Sequence, residues 1–253
     1  MQKRNRRKTV LEDLKKNNSV NITELAERLD VSSMTIRRDL RKLAEQGLVT
    51  LVRDGAILNS GAASMYNVTL REKKEKTEKN RIGRFCADLV KEGSAVFIDC
   101  GSTAKSIAEA LVTKKNIVVM TNSLPVMNIL ANNKNIRLIS VPGIYEEQNK
   151  GFWGELASEF IRRFKFDIAF IGAYGFDVER GITTPDVSAA QTEVAFMKQS
   201  RKNVVVLDHT KLGVSSLIAV GHLQDINLLV TDKEASENAI KCIREAGIEV
   251  SLV

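Results

Sequence analysis

The chain has 253 residues, 43% of them hydrophobic and 27% charged, with a formal net charge of +7. That balance describes a soluble protein able to bury a core, not a disordered chain, and no apolar run of about 18 residues is present to span a bilayer. The opening MQKRNRRK is basic, but TVLEDLKK follows where a signal peptide turns apolar, so a cytoplasmic protein without a membrane partner is expected. Cys86, Cys100 and Cys242 are far apart and odd in number, which suits a reducing compartment and core positions. With only His209 and His222 besides, no metal-ligand cluster is visible, and neither a metal nor another cofactor is expected.

The charge is unevenly placed. Residues 1–57 hold 13 Lys/Arg against 8 Asp/Glu, residues 58–82 hold 6 against 3, and residues 83–253 hold 19 against 20. A basic excess confined to the first third attracts a polyanion, and nucleic acid is the usual one.

In chain order, Val10, Leu11 and Leu14 keep helical spacing until the Asn pair at 17 and 18. Asn21 and Glu24 have the spacing of a capping box, opening a helix that buries Leu25, Ala26 and Leu29. Asp30 and Val31 turn the chain, Ser32 caps a third helix running to about Gln46, and Gly47 stops it. LVTLVRDGAIL then predicts a short hairpin around an Asp-Gly turn. Residues 58–82, with SGAAS and REKKEKTEK, offer little to bury and are expected to form a solvated linker or exposed helix. Beyond them SAVFIDC, NIVVMTN, IRLISV, FDIAFIGAY, NVVVLDH and LLVTD alternate with helical segments, the pattern of an α/β domain with a mainly parallel sheet. The expected organisation is a DNA-binding domain over 1–57, a linker over 58–82 and a ligand-binding domain over 83–253.

On the third helix Ile36, Leu40 and Leu43 share one face, leaving Met34, Arg37, Arg38 and Arg41 on the other. A helix that opens with Ser33, Met34 and Thr35 and projects arginines fits a major groove, where arginine binds guanine bidentately. Arg37 and Arg38 are the candidates for base reading. Arg41, Lys42 and the KRNRRK arm are the candidates for phosphate, and Arg53, near the hairpin tip, for backbone or minor groove. The alternative is a helix that packs on a protein partner.

In the second domain FIDCGSTAKSIAEAL places Asp99 at a strand end, Gly101 in a tight turn, and Ser102 and Thr103 at a helix start whose free amides suit an anion. GAYGFD and DHTKLG also lie at strand ends, where open α/β sheets place ligands. Lys211 supplies a cation, and Asp99, Asp177 and Asp208 accept hydrogen bonds from hydroxyls; alternatively the aspartates form turns and Lys211 is solvated. Trp153 either lines this pocket or fills core.

NITELAERLDVSSMTIRRDLRKLAEQGLV followed by VRDGAIL resembles the winged helix-turn-helix of the DeoR family of bacterial transcriptional regulators, with its T-I-R-R-D-L signature intact. FIDCGST, VMTNSLPV, GELA, GITTPD and DHTKLG resemble successive motifs of that family's sensor domain, which is similar in fold to ribose-5-phosphate isomerase. The resemblance implies a regulator, usually a repressor of a carbohydrate operon, that binds double-stranded operator DNA as a homodimer or higher assembly and releases it in response to a phosphorylated sugar. It implies phosphate at Ser102 and Thr103, with Lys211 assisting, and hydroxyls at Asp99, Asn122, Asp177 and Asp208. The chain departs from the family at the wing, where Arg53-Asp54 replaces His-Gly. It departs again at Tyr174, a candidate effector contact where a carboxylate is usual, and after TTPD, where Ser188, Ala189, Thr192 and Glu193 stand in place of a glutamate and a Val-Lys pair. An enzyme that isomerises sugar phosphates, with Glu193 as its base, is the alternative function.

Overall fold

In the computed structural model, residues 3–17, 19–44, 49–58, 68–72 and 74–253 are described, and the chain divides into two units, Met1–Lys73 and Lys74–Val253. The expected end of the third helix near Gln46, its stop at Gly47 and the SGAAS stretch lie outside the described residues.

The first unit runs α1 (Lys3–Asn17), β1 (Ser19–Asn21), α2 (Ile22–Arg28), α3 (Ser33–Ala44), β2 (Val49–Val52), β3 (Gly55–Leu58) and α4 (Val68–Arg71). Asn21 caps α2 by accepting from the amides of Thr23 at 2.8 Å and Glu24 at 3.4 Å, and Ser32 accepts from Thr35 N at the start of α3. Val10, Leu14, Leu25, Ala26, Ile36, Leu40 and Leu43 meet in one core, so the apolar stripes read from the sequence face one another. The hairpin β2–β3 gains a third strand that the sequence pattern did not announce, in the order β1-β3-β2. Gly55 allows it: a Cβ there would lie 1.9 Å from the Val20 carbonyl oxygen.

The second unit begins with α5 (Lys76–Asp88), inside the stretch expected to be linker. This helix buries Lys79, Ile82, Gly83 and Cys86 and is an integral layer of the domain. There follow β4 (Ala95–Ile98), α6 (Ser102–Leu111), β5 (Ile117–Thr121), α7 (Leu124–Leu130), β6 (Ile136–Ser140), the hairpin β7 (Ile144–Glu146) and β8 (Gly151–Trp153), α8 (Glu155–Ile161) and β9 (Ile168–Ile171). Then come β10 (Gly175–Asp177), β11 (Gly181–Thr184), α9 (Val187–Gln199), β12 (Asn203–Val206), β13 (Ile218–Ala219), β14 (Leu228–Thr231), α10 (Glu237–Glu245) and β15 (Glu249–Leu252).

Seven strands form one parallel sheet in the order β15-β14-β12-β9-β4-β5-β6. The six apolar runs identified in the sequence are all in it. Alternate residues of each strand point to opposite faces, so a strand covered on both sides is apolar throughout. Val96, Ile98, Phe170 and Val204 pack under α5, α6 and α7; Phe97, Ala169, Ile171 and Val205 pack under α8, α9 and α10, with Phe97 stacked on Phe196 at 4.3 Å between ring centroids. Cys86 and Cys100 are core residues as expected, whereas Cys242 is half-exposed. No helix among the described residues is long and apolar enough to cross a membrane.

Candidate DNA-reading face and effector crevice

In α3 the side chains of Met34, Arg37, Arg38 and Arg41 fall within about 100° of arc at 3.6 residues per turn. All four are exposed, as are Ser33, Lys42 and Arg53, with Thr35 half-buried. Opposite them Ile36, Leu40 and Leu43 are buried, and so is Asp39. Asp39 Oδ2 lies 2.6 Å from Arg6 Nε and its Oδ1 lies 3.8 Å from Arg7 Nε. The acid of the T-I-R-R-D-L stretch therefore ties α3 to α1, and buried Arg6 holds the helix in place instead of facing a phosphate as expected of the basic arm. At the hairpin tip Arg53 and Asp54 are both exposed, and the Asp54 carbonyl accepts from Ile22 N at 2.9 Å, fixing the tip against the start of α2.

In the second unit the chain leaves β4 outward to β5 and β6, then returns to the other side of β4 at β9. That reversal opens a crevice at the carboxyl ends of β4 and β9, where open α/β sheets bind ligands. Asp99 follows β4 and its Oδ2 accepts from Gly172 N, after β9, at 3.1 Å, bridging the two strand ends. Gly101 has φ 146° and ψ 173°, a region essentially closed to other residues, and a Cβ added there would meet nothing within 4 Å. The amino end of α6, with Ser102 and Thr103 in its first turn, thus borders open space and presents amides that have no partner within the helix. Gly101→Ala is expected to lower stability by about 1–3 kcal/mol through backbone strain alone, measured by urea denaturation; an unchanged midpoint would refute this account of the turn.

Asn122, after β5, is fully buried, and neither its amide nitrogen nor its amide oxygen has a hydrogen-bond partner. Its backbone carbonyl accepts from Phe152 N at 2.8 Å, bringing β8 alongside. Trp153 packs with Cys100 and Ala189, and its indole Nε1 is buried without a hydrogen-bond partner. Tyr174 does not stand in for the family's carboxylate: its hydroxyl donates to Asn149 Oδ1, while Cys100 Sγ donates to the Asn149 carbonyl at 2.8 Å. Together they draw the 146–151 loop against the strand ends.

Asp208 is buried with both oxygens engaged. Oδ1 accepts from Thr210, and Oδ2 lies 3.2 Å from Lys79 Nζ, each side chain of the pair 4% exposed. Burial pushes this carboxyl up, but Lys79, Thr210 and Lys211 outweigh that effect and hold it below its ordinary value. The expectation that Asp208 offers itself to a hydroxyl is therefore corrected: its partner is Lys79, a cation hidden in a run that looked solvated. Lys211, half-buried, sits on a one-turn 3-10 helix that His209 fixes by bonding Asp232 Oδ1 at 2.8 Å. Asp177 is also corrected, since its Oδ1 accepts from Glu179 N at 2.9 Å and Arg180 N at 2.7 Å, forming a turn. It borders a separate cavity of about 310 Å³ with Leu212 and Cys242. Another, of about 600 Å³, lies between Arg180, Lys198 and His222, also apart from the predicted residues.

One cluster escaped the sequence reading. His209, Asp232 and Glu234 bring potential metal-ligand atoms within 4.8 Å of one another, but His209 already bonds Asp232, and Glu234 pairs with Arg81 at 3.2 Å. Glu193 is buried; burial, then Asp99 and Asp186 beside it, push its carboxyl well above the usual range.

The model described as the DeoR-like helix-turn-helix domain matches residues 6–62, and that described as the DeoR C terminal sensor domain matches residues 74–233. The chain is 31% identical to the glycerol-3-phosphate regulon repressor of Escherichia coli K12 over 254 residues, covering 100% of both chains. It is 34% identical to the HTH-type transcriptional repressor CsqR of the same organism, covering 92% of this chain and 89% of that one. Among solved structures, ribose 5-phosphate isomerase A from Methanocaldococcus jannaschii is similar over 55% of each chain, at 16% identity and TM-score 0.41, too distant to carry an argument. The full-length relatives are transcriptional regulators, which sets the isomerase alternative aside. From its helix-turn-helix to its sensor domain, the chain belongs to the DeoR family of DNA-binding transcriptional regulators and is not an enzyme.

Proposed function

We propose that this regulator is a cytoplasmic repressor of a carbohydrate operon, binding its operator as a homodimer or higher assembly and releasing it when a phosphorylated sugar occupies the crevice. The observation that carries this is the open space at Gly101, bordered by the amino end of α6 with its Ser102 and Thr103 hydroxyls. Phosphate suits such free amides, with Lys211 as the assisting cation in this reading. A relative named for a glycerol-3-phosphate regulon agrees with that ligand class. In this reading Arg37 and Arg38 read bases while Arg41, Lys42 and Arg53 meet phosphates. Effector and operator must favour different arrangements of the assembly for either to weaken the other.

A thermal-shift screen of sugar phosphates and their unphosphorylated parents tests the sensor. A phosphorylated ligand at about 100 times its dissociation constant adds roughly 2.7 kcal/mol of stability, the parent adds none, and Lys211→Ala reduces the shift. Equal shifts from parent and phosphate would refute the anion site. Silence to every phosphorylated compound would refute the effector class.

A further inference from the structure

Among the buried side-chain atoms without a hydrogen-bond partner are Asn122 Nδ2 and Oδ1, Trp153 Nε1 and Glu193 Oε2. Their residues are 0%, 5% and 5% exposed, and a buried polar group without a partner costs about 1–3 kcal/mol. They come from the end of β5, the end of β8 and the middle of α9, elements that converge here. Phe152 N bonds the Asn122 carbonyl, Gly154 N bonds Thr192 Oγ1 at 3.4 Å, and Trp153 touches Ala189. A Cβ at Gly154 would also meet nothing within 4 Å, so this side too borders open space.

We propose that Asn122, Trp153 and Glu193 form a hydroxyl-reading subsite that grips the sugar portion of the effector; this rests on the sugar-phosphate reading above and specifies which residues recognise the rest of the ligand. The donor and acceptor inventory selects the chemistry. Indole donates only, the amide offers donors and an acceptor, and a protonated carboxyl offers one donor and an acceptor. That mixture matches neighbouring hydroxyls, each of which gives and takes a hydrogen bond. A second phosphate would need donors alone, and an ammonium would need acceptors alone. Glu193 must be protonated to take part: Asp99 and Asp186 are the charged groups acting on it, both acidic, and ionising it among them would bury an uncompensated charge.

Isothermal titration of the full-length protein with inorganic phosphate, D-ribose 5-phosphate, D-fructose 6-phosphate, glycerol 3-phosphate and D-glucosamine 6-phosphate, at one fixed pH near neutrality, tests this. For the hydroxylated phosphate that binds, Glu193→Ala and Asn122→Ala each lower affinity roughly tenfold, the range of one hydrogen bond, while affinity for inorganic phosphate is unchanged. Glu193→Gln, which keeps a donor and an acceptor, stays within about threefold of wild type. Unaltered sugar-phosphate affinity in both alanine variants would overturn the subsite and leave the effector class intact. Selective binding of the amino sugar that is lost in Glu193→Gln would overturn it in favour of a charged carboxylate. Wild-type protein that binds none of the phosphates would overturn the subsite and the effector reading together.

Discussion

Replacing Arg37 and Arg38 together with alanine lowers operator affinity by about a hundredfold or more, at 1–3 kcal/mol for each bidentate base contact. Both side chains are exposed on α3, and neither makes an ion pair with a described residue. Their removal therefore disturbs little of the fold, and stability should stay within about 0.5 kcal/mol of wild type. Fluorescence anisotropy on a duplex selected by the wild-type protein from a random library measures the loss. Arg41→Ala supplies the contrast: affinity for every duplex drops and the salt slope flattens by about one unit, the mark of a phosphate contact. Undiminished operator affinity in the double variant would locate base reading elsewhere on the domain.

Asp39 shows why such a signature is only half legible. Its neighbours announce themselves, since apolar spacing assigns Ile36, Leu40 and Leu43 inward and leaves the arginines outward. Nothing in that spacing says that Asp39 turns inward to meet Arg6, because the partner is 33 residues away and belongs to a run whose composition reads as a solvated arm. The same limit applies to the sheet. The five inner strands have continuous apolar runs because both faces are covered; of the edge strands, β6 is interrupted by Arg137, and β15 carries Glu249 and Ser251 among its apolar residues and has no such run. The three-stranded antiparallel sheet β10-β11-β13 rests on short strands, one of only two residues, below the length at which alternation is visible. In the crevice, Asp99 and Gly101 were legible from their place at the end of a strand, and Asn122 only through the family resemblance. Glu193 as a sensor group was not, because its role depends on Asp99, 94 positions earlier, lying beside it in the fold.

Lys79 is the sharpest case of a role hidden by composition, and its removal carries the second large effect. Within EKTEKNR it looks like one more solvated charge, yet it shares the inward face of α5 with Ile82 and Cys86 and meets Asp208. Breaking a buried pair by removing one partner costs about 3–5 kcal/mol, because the other charge stays behind in a site water cannot reach. Lys79→Met and Asp208→Leu should each lose stability on that scale. A joint change to Lys79→Met and Asp208→Leu should recover much of it, since no uncompensated charge remains; denaturant midpoints for the four proteins give the coupling directly. The acid limb adds an independent sign. Asp208 has its carboxyl depressed in the folded state, so its contribution is present above the ordinary aspartate range and is lost as pH falls through the lower folded value. In Lys79→Met, burial is no longer outweighed by that ammonium, and the acid-induced loss moves to higher pH. Single-variant losses of only a few tenths of a kcal/mol, with an unmoved acid transition, would show instead that water reaches the pair and screens it.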